Sequence, residues 1–212
     1  MQPKNILIVG VGGLGQSLVQ ESLLRGLSVS VLVRNRSKLE AVLDAATLSK
    51  LTKIFVGDGT DAKTLDEAMQ GIDVVLSGRG ADPTLAKALA VAVKRNGVGK
   101  LTWPGGTTNV MAEDGITPNY KQLKHLGSWV EGAYKVHGAS IAAIQNEHIN
   151  YVIFCPGRMQ SVGKRNPDVA STIRINRDAG PFVSYEDAAW VILEAATTST
   201  YDHQLISAAT QV

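Results

Sequence analysis

An apolar run, Asn5-Ile6-Leu7-Ile8-Val9, feeds directly into glycines at G-x-G-x-x-G spacing, Gly10, Gly12 and Gly15, and nothing else in the chain restricts its fold so sharply. The segment reads as strand, tight turn and helix. One glycine permits the turn, one lets the backbone approach a pyrophosphate, and one lets the helix pack close to the strand. Amide groups of the turn and the first helical residues, Gly13 and Leu14 among them, are then free to face phosphate oxygens. The amphipathic set Leu14, Leu18, Val19, Leu23 and Leu24 follows, and Gly26 stands where a helix is expected to stop.

From Gly26 onward strand and helix patterns alternate. Val29–Val33 is a second strand, followed by Asn35-Arg36-Ser37 and a helix through Leu39, Val42 and Leu43. Ile54-Phe55-Val56 is a third, ending at Gly57-Asp58-Gly59-Thr60, with Asp61 placed to cap the next helix. Val74-Val75-Leu76 turns at Ser77-Gly78-Arg79-Gly80 into an alanine-rich helix from Asp82-Pro83 to Asn96. A fifth strand lies between Gly97 and Trp103, before Pro104-Gly105-Gly106-Thr107-Thr108. A loop from Val110 to Tyr120 is long enough to suggest function, and a helical region from Tyr120 to Glu147 carries three glycines that argue against one unbroken helix. Strand six, Tyr151–Cys155, ends at Pro156-Gly157. Beyond a weak strand at Thr172–Ile175, Ser184 and Asp187 open a last helix at capping-box spacing, and His203–Ala208 is a last strand. This alternation predicts an α/β fold, a doubly wound parallel sheet in one domain over 1–212, with a small C-terminal substrate-side region and a flap at 156–183. Right-handed crossovers gather the turns at Gly10, Arg34, Gly57, Ser77, Pro104 and Pro156 along the carboxyl edge.

With 212 residues the chain can bury a substantial core. A formal charge of +2 without any block of like charges gives no case for nucleic acid or an acidic membrane. No apolar stretch approaches transmembrane length, and Met1-Gln2-Pro3-Lys4 has no signal-peptide pattern. A single cysteine, Cys155, excludes an intrachain disulfide and fits a reducing, cytoplasmic setting. His125, His148 and His203 show no metal-ligand spacing, so no metal is expected.

The cofactor can be narrowed further. An NAD site usually places Asp or Glu about 20 residues beyond the glycines to hold the ribose 2′-hydroxyl; here Arg34 stands in that place. A guanidinium binds a 2′-phosphate that a carboxylate would repel. Arg34 and Arg36, with Asn35, Ser37 and Lys38, therefore predict NADP(H). Asp58, next to Gly59, has two readings, an acceptor for the adenine amino group or simple turn chemistry. Arg79, after Ser77 and Gly78, either contacts cofactor phosphate or caps a helix.

These motifs resemble the atypical short-chain dehydrogenase/reductases, in particular the small NmrA-like NAD(P)H-binding group that includes biliverdin reductase B-type flavin reductases. The likeness covers nearly the whole chain. It rests on Val31-Leu32-Val33-Arg34-Asn35, Val56-Gly57-Asp58, Gly71-Ile72-Asp73-Val74-Val75, Tyr151 to Gly157 and Val183-Ser184-Tyr185-Glu186-Asp187-Ala188-Ala189. The resemblance implies a Rossmann fold, a cofactor contact near Pro156, and reduction of flavins, quinones or similar carbonyl compounds. The group often uses G-x-x-G-x-x-G, one residue longer than the loop found here. The wider superfamily also uses a tyrosine and lysine on the helix before strand six. Tyr120 and Lys124 have the spacing but fall early, while Lys135 has nearly the right position with Glu131 in place of the tyrosine.

Hydride transfer requires geometry first and a proton donor where the acceptor gains a proton. His137, with Tyr134 and Lys135 a turn away, aligns with a histidine of the flavin-reductase helix; the competing reading is a surface helix residue. Thr107 follows strand five, where the superfamily places a polarising serine, but Gly106 takes that serine's place. Arg158, Lys164 and Arg165 belong either to a mobile flap or to a solvated loop, and Trp103, Trp129 and Trp190 are candidate stacking surfaces. The expected protein is an NADPH-dependent oxidoreductase acting on a small molecule as monomer or homodimer. Its rivals are a non-catalytic NADP-binding redox sensor and an enzyme of the nucleotide-sugar epimerase or dehydratase kind.

Overall fold

The computed structural model describes residues 4–210; Met1-Gln2-Pro3, part of the segment read for a signal peptide, lies outside them. The opening run forms β1 (Asn5–Val9), and Gly10, at φ +85°, turns it into α1 (Gly13–Leu24). β2 (Ser28–Val33), α2 (Arg36–Val42), α3 (Ala45–Ser49) and β3 (Lys53–Val56) follow, then α4 (Ala62–Ala68), β4 (Val74–Ser77), α5 (Pro83–Arg95) and β5 (Lys100–Pro104). Helix starts obey simple capping chemistry: the side chains of Asn35, Asp61 and Asp82 accept from the amides of Lys38, Thr64 and Leu85.

The strands form an eight-stranded sheet, whose first six in spatial order are β3-β2-β1-β4-β5 and then β6 (Tyr151–Phe154). Beyond them come β10 (Gln204–Ser207) and β8 (Arg174–Ile175). Every pairing is parallel except β8 against β10. The sheet is thus mostly parallel, and its order reverses between β1 and β4, opening a crevice at their carboxyl ends. Helices cover both faces, which is why β1 is apolar without alternation. Ile6 and Ile8 enter one core with Leu14, Leu18 and Ile192, while Leu7 and Val9 enter the other with Leu85 and Leu89.

One local expectation is met and two are corrected. The region from Tyr120 to Glu147 is split into α6 (Asn119–Leu123), a 3-10 turn (Lys124–Leu126) and α7 (Trp129–Gln145), because Gly127 at φ +131° cannot continue a helix. The stretch 172–175 is a strand only at Arg174–Ile175, the preceding Val169–Thr172 being a 3-10 turn. Ser184 does accept from the Asp187 amide at 3.0 Å at the start of α8 (Tyr185–Thr197), but the capping box is not reciprocal. The buried Asp187 carboxylate instead accepts from the Asn166 amide and the Thr210 hydroxyl. Within residues 156–183 a short strand β7 (Arg158–Gln160) pairs in parallel with β9 (Phe182–Ser184). Among the described residues no helix is long and apolar enough to cross a membrane.

Candidate functional site

A cleft of about 860 Å³ opens at the crevice between β1 and β4. Its floor is the glycine turn. A Cβ on Gly15 would lie 2.2 Å from the Gly10 carbonyl oxygen, and one on Gly78 2.1 Å from the same atom. Three backbone segments therefore touch there, a contact that only glycine at both positions permits. Gly12 behaves oppositely: a Cβ there meets nothing within 4 Å, so the turn presents bare backbone to open space. α1 begins at this point with no side-chain cap and no acidic residue in its first turn. Its first amides and the positive end of its dipole face the opening, which suits a diphosphate. These residues fit a dinucleotide.

Arg34, Asn35 and Lys38 form the cleft wall beyond β2. Arg34 is exposed, and among the described residues no carboxylate pairs with it. Arg36 is engaged by Glu40 at 2.8 Å and Ser37 is exposed on α2; neither lines the cleft. The Asn35 side-chain oxygen is spent on the helix cap, accepting from Lys38 at 3.1 Å. Asp58 and Gly59 form the facing wall. The Thr60 amide and hydroxyl each reach one Asp58 oxygen at 2.8 Å, holding its carboxyl below the ordinary range, with Arg34 and Arg79 adding to the effect. Turn chemistry thus accounts for one oxygen of Asp58. Arg79 lines the cleft and also pairs with Asp82, the cap of α5, at 3.1 Å. Ser77 is buried, its hydroxyl donating to the Arg79 carbonyl at 2.6 Å.

Further along the carboxyl edge, His137 lies against Gly106. A Cβ on Gly106 would meet the imidazole at 2.7 Å, so the ring occupies the room that a serine side chain would need. His137 is half-buried: Nδ1 is enclosed without a partner, and burial lowers the ring's pKa below its ordinary value. Thr107 is fully committed. Its hydroxyl donates to Asp178 at 2.6 Å and accepts from the buried Asn119 at 2.9 Å, while its amide donates to Pro156 at 2.9 Å. Lys135 points to solvent and pairs with Glu131 at 2.8 Å. Tyr134 stacks on Tyr120 with centroids 4.1 Å apart. Trp103 is fully buried and offers no stacking surface; Trp129 is exposed, and the Trp190 ring has the guanidinium groups of Arg25 and Arg165 each 5.5 Å from its centroid. Burial pushes the Cys155 thiol up to about 12, as befits a core residue. Among the described residues no cluster of side chains suits a metal ion.

The model of a family described as NAD(P)H-binding matches residues 10–199, from the glycine turn to the end of α8. The chain belongs to the NAD(P)H-binding family. Solved structures agree on the fold of this family member. A Bacteroides thetaiotaomicron protein with a provisional epimerase label superposes with a TM-score of 0.80 at 18% identity, over 100% of this chain and 99% of its own. A short-chain dehydrogenase/reductase from Veillonella parvula, solved in complex with NADP, gives 0.77 at 15% identity over 98% and 95%. ChuY, an anaerobilin reductase from Escherichia coli O157:H7, gives 0.71 at 17% identity over 97% of each chain. No curated protein matches the sequence at a significant level.

Two features of the edge were not anticipated from sequence. Tyr185 packs over Gly13 at the mouth of the glycine turn. Glu186, beside it, accepts from the Ser161 hydroxyl and the amides of Val162 and Gly163, pinning the 161–163 loop to α8. Burial opposes the charge on Glu186, but these bonds outweigh it and leave its carboxyl below the ordinary range.

Proposed function

We propose that this protein is an NADPH-dependent oxidoreductase that reduces a flavin, a quinone or a similar small carbonyl acceptor. The observation that carries the cofactor choice is Arg34, an unpaired guanidinium on the cleft wall where a ribose-binding carboxylate would otherwise stand. Arg34 and Lys38 grip the 2′-phosphate, the amides of Gly12, Gly13 and Leu14 take the diphosphate, and Gly15 and Gly78 keep the turn tight. Asn35, Asp58 and Gly59 shape the adenosine end, with Arg36, paired to Glu40, and Ser37 just outside it on α2. Gly10, Ser77, Arg79 and Pro156 complete the edge along which the dinucleotide extends.

The bound nicotinamide supplies hydride. The chain's part is positional and protic. His137, fixed against Gly106, holds a proton at Nε2, since Nδ1 is enclosed. Thr107 fixes the loop between β5 and α6 through Asp178 and Asn119, and Tyr134 presents an aromatic wall one turn from His137, with Lys135 at its solvent side. Support for reductase chemistry comes from the anaerobilin reductase and the NADP complex among the structural relatives. The single, buried cysteine supports a cytoplasmic setting. Residues 156–183, held by Glu186 and Asp187, form the substrate-side flap of a monomer or homodimer.

A second reading has its own observation. Glu131 and Lys135 pair with each other where the superfamily's tyrosine and lysine belong, which favours an NADP-binding sensor without turnover. The absence of that pair also weighs against epimerase or dehydratase chemistry on nucleotide sugars. Following NADPH absorbance with FMN and with a small benzoquinone separates the two readings. Saturable, acceptor-dependent oxidation is expected; tight NADP binding with no turnover across a panel of acceptors overturns the enzyme in favour of the sensor.

A further inference from the structure

The glycine turn contains one glycine more than its chemistry requires. Gly10, Gly12 and Gly15 are explained by the turn, the open approach and the close packing, but Gly13 is none of these. The structure gives its reason: a Cβ on Gly13 would lie 2.6 Å from Cε2, 2.7 Å from Cζ and 2.9 Å from the hydroxyl oxygen of Tyr185. The outer end of a tyrosine ring thus rests on the first residue of α1, and any larger residue would push it off. The hydroxyl has no hydrogen-bond partner among the described residues, although the ring packs against the core. Tyr185 is only partly buried and its hydroxyl is not among the enclosed atoms, so it is open to a ligand at the start of α1.

Its placement is rigid. Tyr185 is the first residue of α8, between the buried cap Ser184 and the pair Glu186 and Asp187, whose carboxylates grip the 161–166 segment. α8 packs along α1, so the hydroxyl is held beside the uncapped amides with little side-chain freedom left to lose.

We propose that the Tyr185 hydroxyl is a ligand of the cofactor diphosphate, donating its proton to a phosphate oxygen at the start of α1, and that Gly13 is glycine to admit it. This rests on the reading of the glycine turn as the diphosphate site. It makes the phosphate cradle a joint product of residues 10–15 and residue 185, at opposite ends of the chain. It also ties dinucleotide binding to the helix that anchors the 161–166 loop.

The test is calorimetric titration of wild type and Tyr185→Phe, which keeps the ring and removes only the hydroxyl, with NADP+, NAD+ and adenosine 2′-monophosphate. Losing one hydrogen bond to a charged oxygen should weaken both dinucleotides by a similar factor, about tenfold or more. Adenosine 2′-monophosphate has no diphosphate, so its affinity should be unchanged. Dinucleotide affinities at the wild-type level in the variant overturn the proposal, and so does an equal loss for adenosine 2′-monophosphate, which marks a structural role. A wild type that binds no dinucleotide overturns the site itself, an outcome distinct from either.

Discussion

At the scale of single residues, the proposed preference for NADPH rests on the charge at Arg34. Arg34→Glu places a carboxylate beside the 2′-phosphate of NADPH but beside a plain hydroxyl of NADH. NADPH affinity should fall by about a hundredfold or more, on the order of the loss of a charge-assisted bond plus repulsion, while NADH is little affected; titration by nicotinamide fluorescence checks this, and equal losses would remove Arg34 from the site. His137 carries a different signature. Its imidazole is half-buried and its pKa lowered, so at neutral pH the ring is uncharged. The unfolded chain therefore binds more protons between the folded pKa and the ordinary value of 6.5, and stability at this residue is complete above that value and declines as pH falls through the window below it. His137→Ala should abolish that part of the acid dependence of Tm and lower kcat for acceptor reduction by about 10²-fold, with NADPH affinity unchanged. The place of Arg34 on the cleft wall was legible from sequence because it depends on distance along the chain from the glycines. The packing of His137 on Gly106 was not, since the two lie on separate elements and meet only through folding.

At the scale of the element, the β1-turn-α1 unit gives opposite expectations for neighbouring glycines. Gly15→Ala puts a methyl 2.2 Å from the Gly10 carbonyl, backbone that cannot move without disturbing Gly78, and should cost about 2 kcal/mol or more by overpacking. Gly12→Ala meets no protein atom, so its urea midpoint should stay near wild type while dinucleotide affinity drops because the methyl enters the approach to the turn. A Gly12→Ala variant with full affinity would show that the diphosphate does not lie over that residue. Hydrophobic periodicity revealed this unit and its successors, because each strand and helix is written in a local pattern. It failed where structure depends on distant partners: the parallel pairing of β7 with β9, the antiparallel pairing of β8 with β10, and the use of Asp187 to hold Asn166 and Thr210 rather than close its own capping box.

At the scale of the whole molecule, the sheet must hold its far edge as firmly as its cofactor edge. Lys100, at the start of β5, is buried, and its ammonium donates to the carbonyls of Ala195 at 3.1 Å and Thr198 at 2.6 Å and pairs with Asp202. It binds the end of α8 and the turn before β10 to the middle of the sheet, at the edge opposite the cleft. Lys100→Ala leaves those acceptors unpartnered and should cost about 3 kcal/mol, a fall in Tm of about 6–12 °C for a domain of this size. A shift within 2 °C would show the buried pair to be dispensable. The order of the sheet then fixes the rest: it reverses between β1 and β4, and the glycine turn, Arg34 and Arg79 all reach the crevice there. The claim that this crevice selects NADPH is tested most directly by calorimetric titration of the wild-type protein with NADPH and NADH side by side. Saturable binding of NADPH at least about tenfold tighter than NADH is expected from the charge at Arg34; heat from neither dinucleotide, or NADH bound as tightly as NADPH, would contradict it.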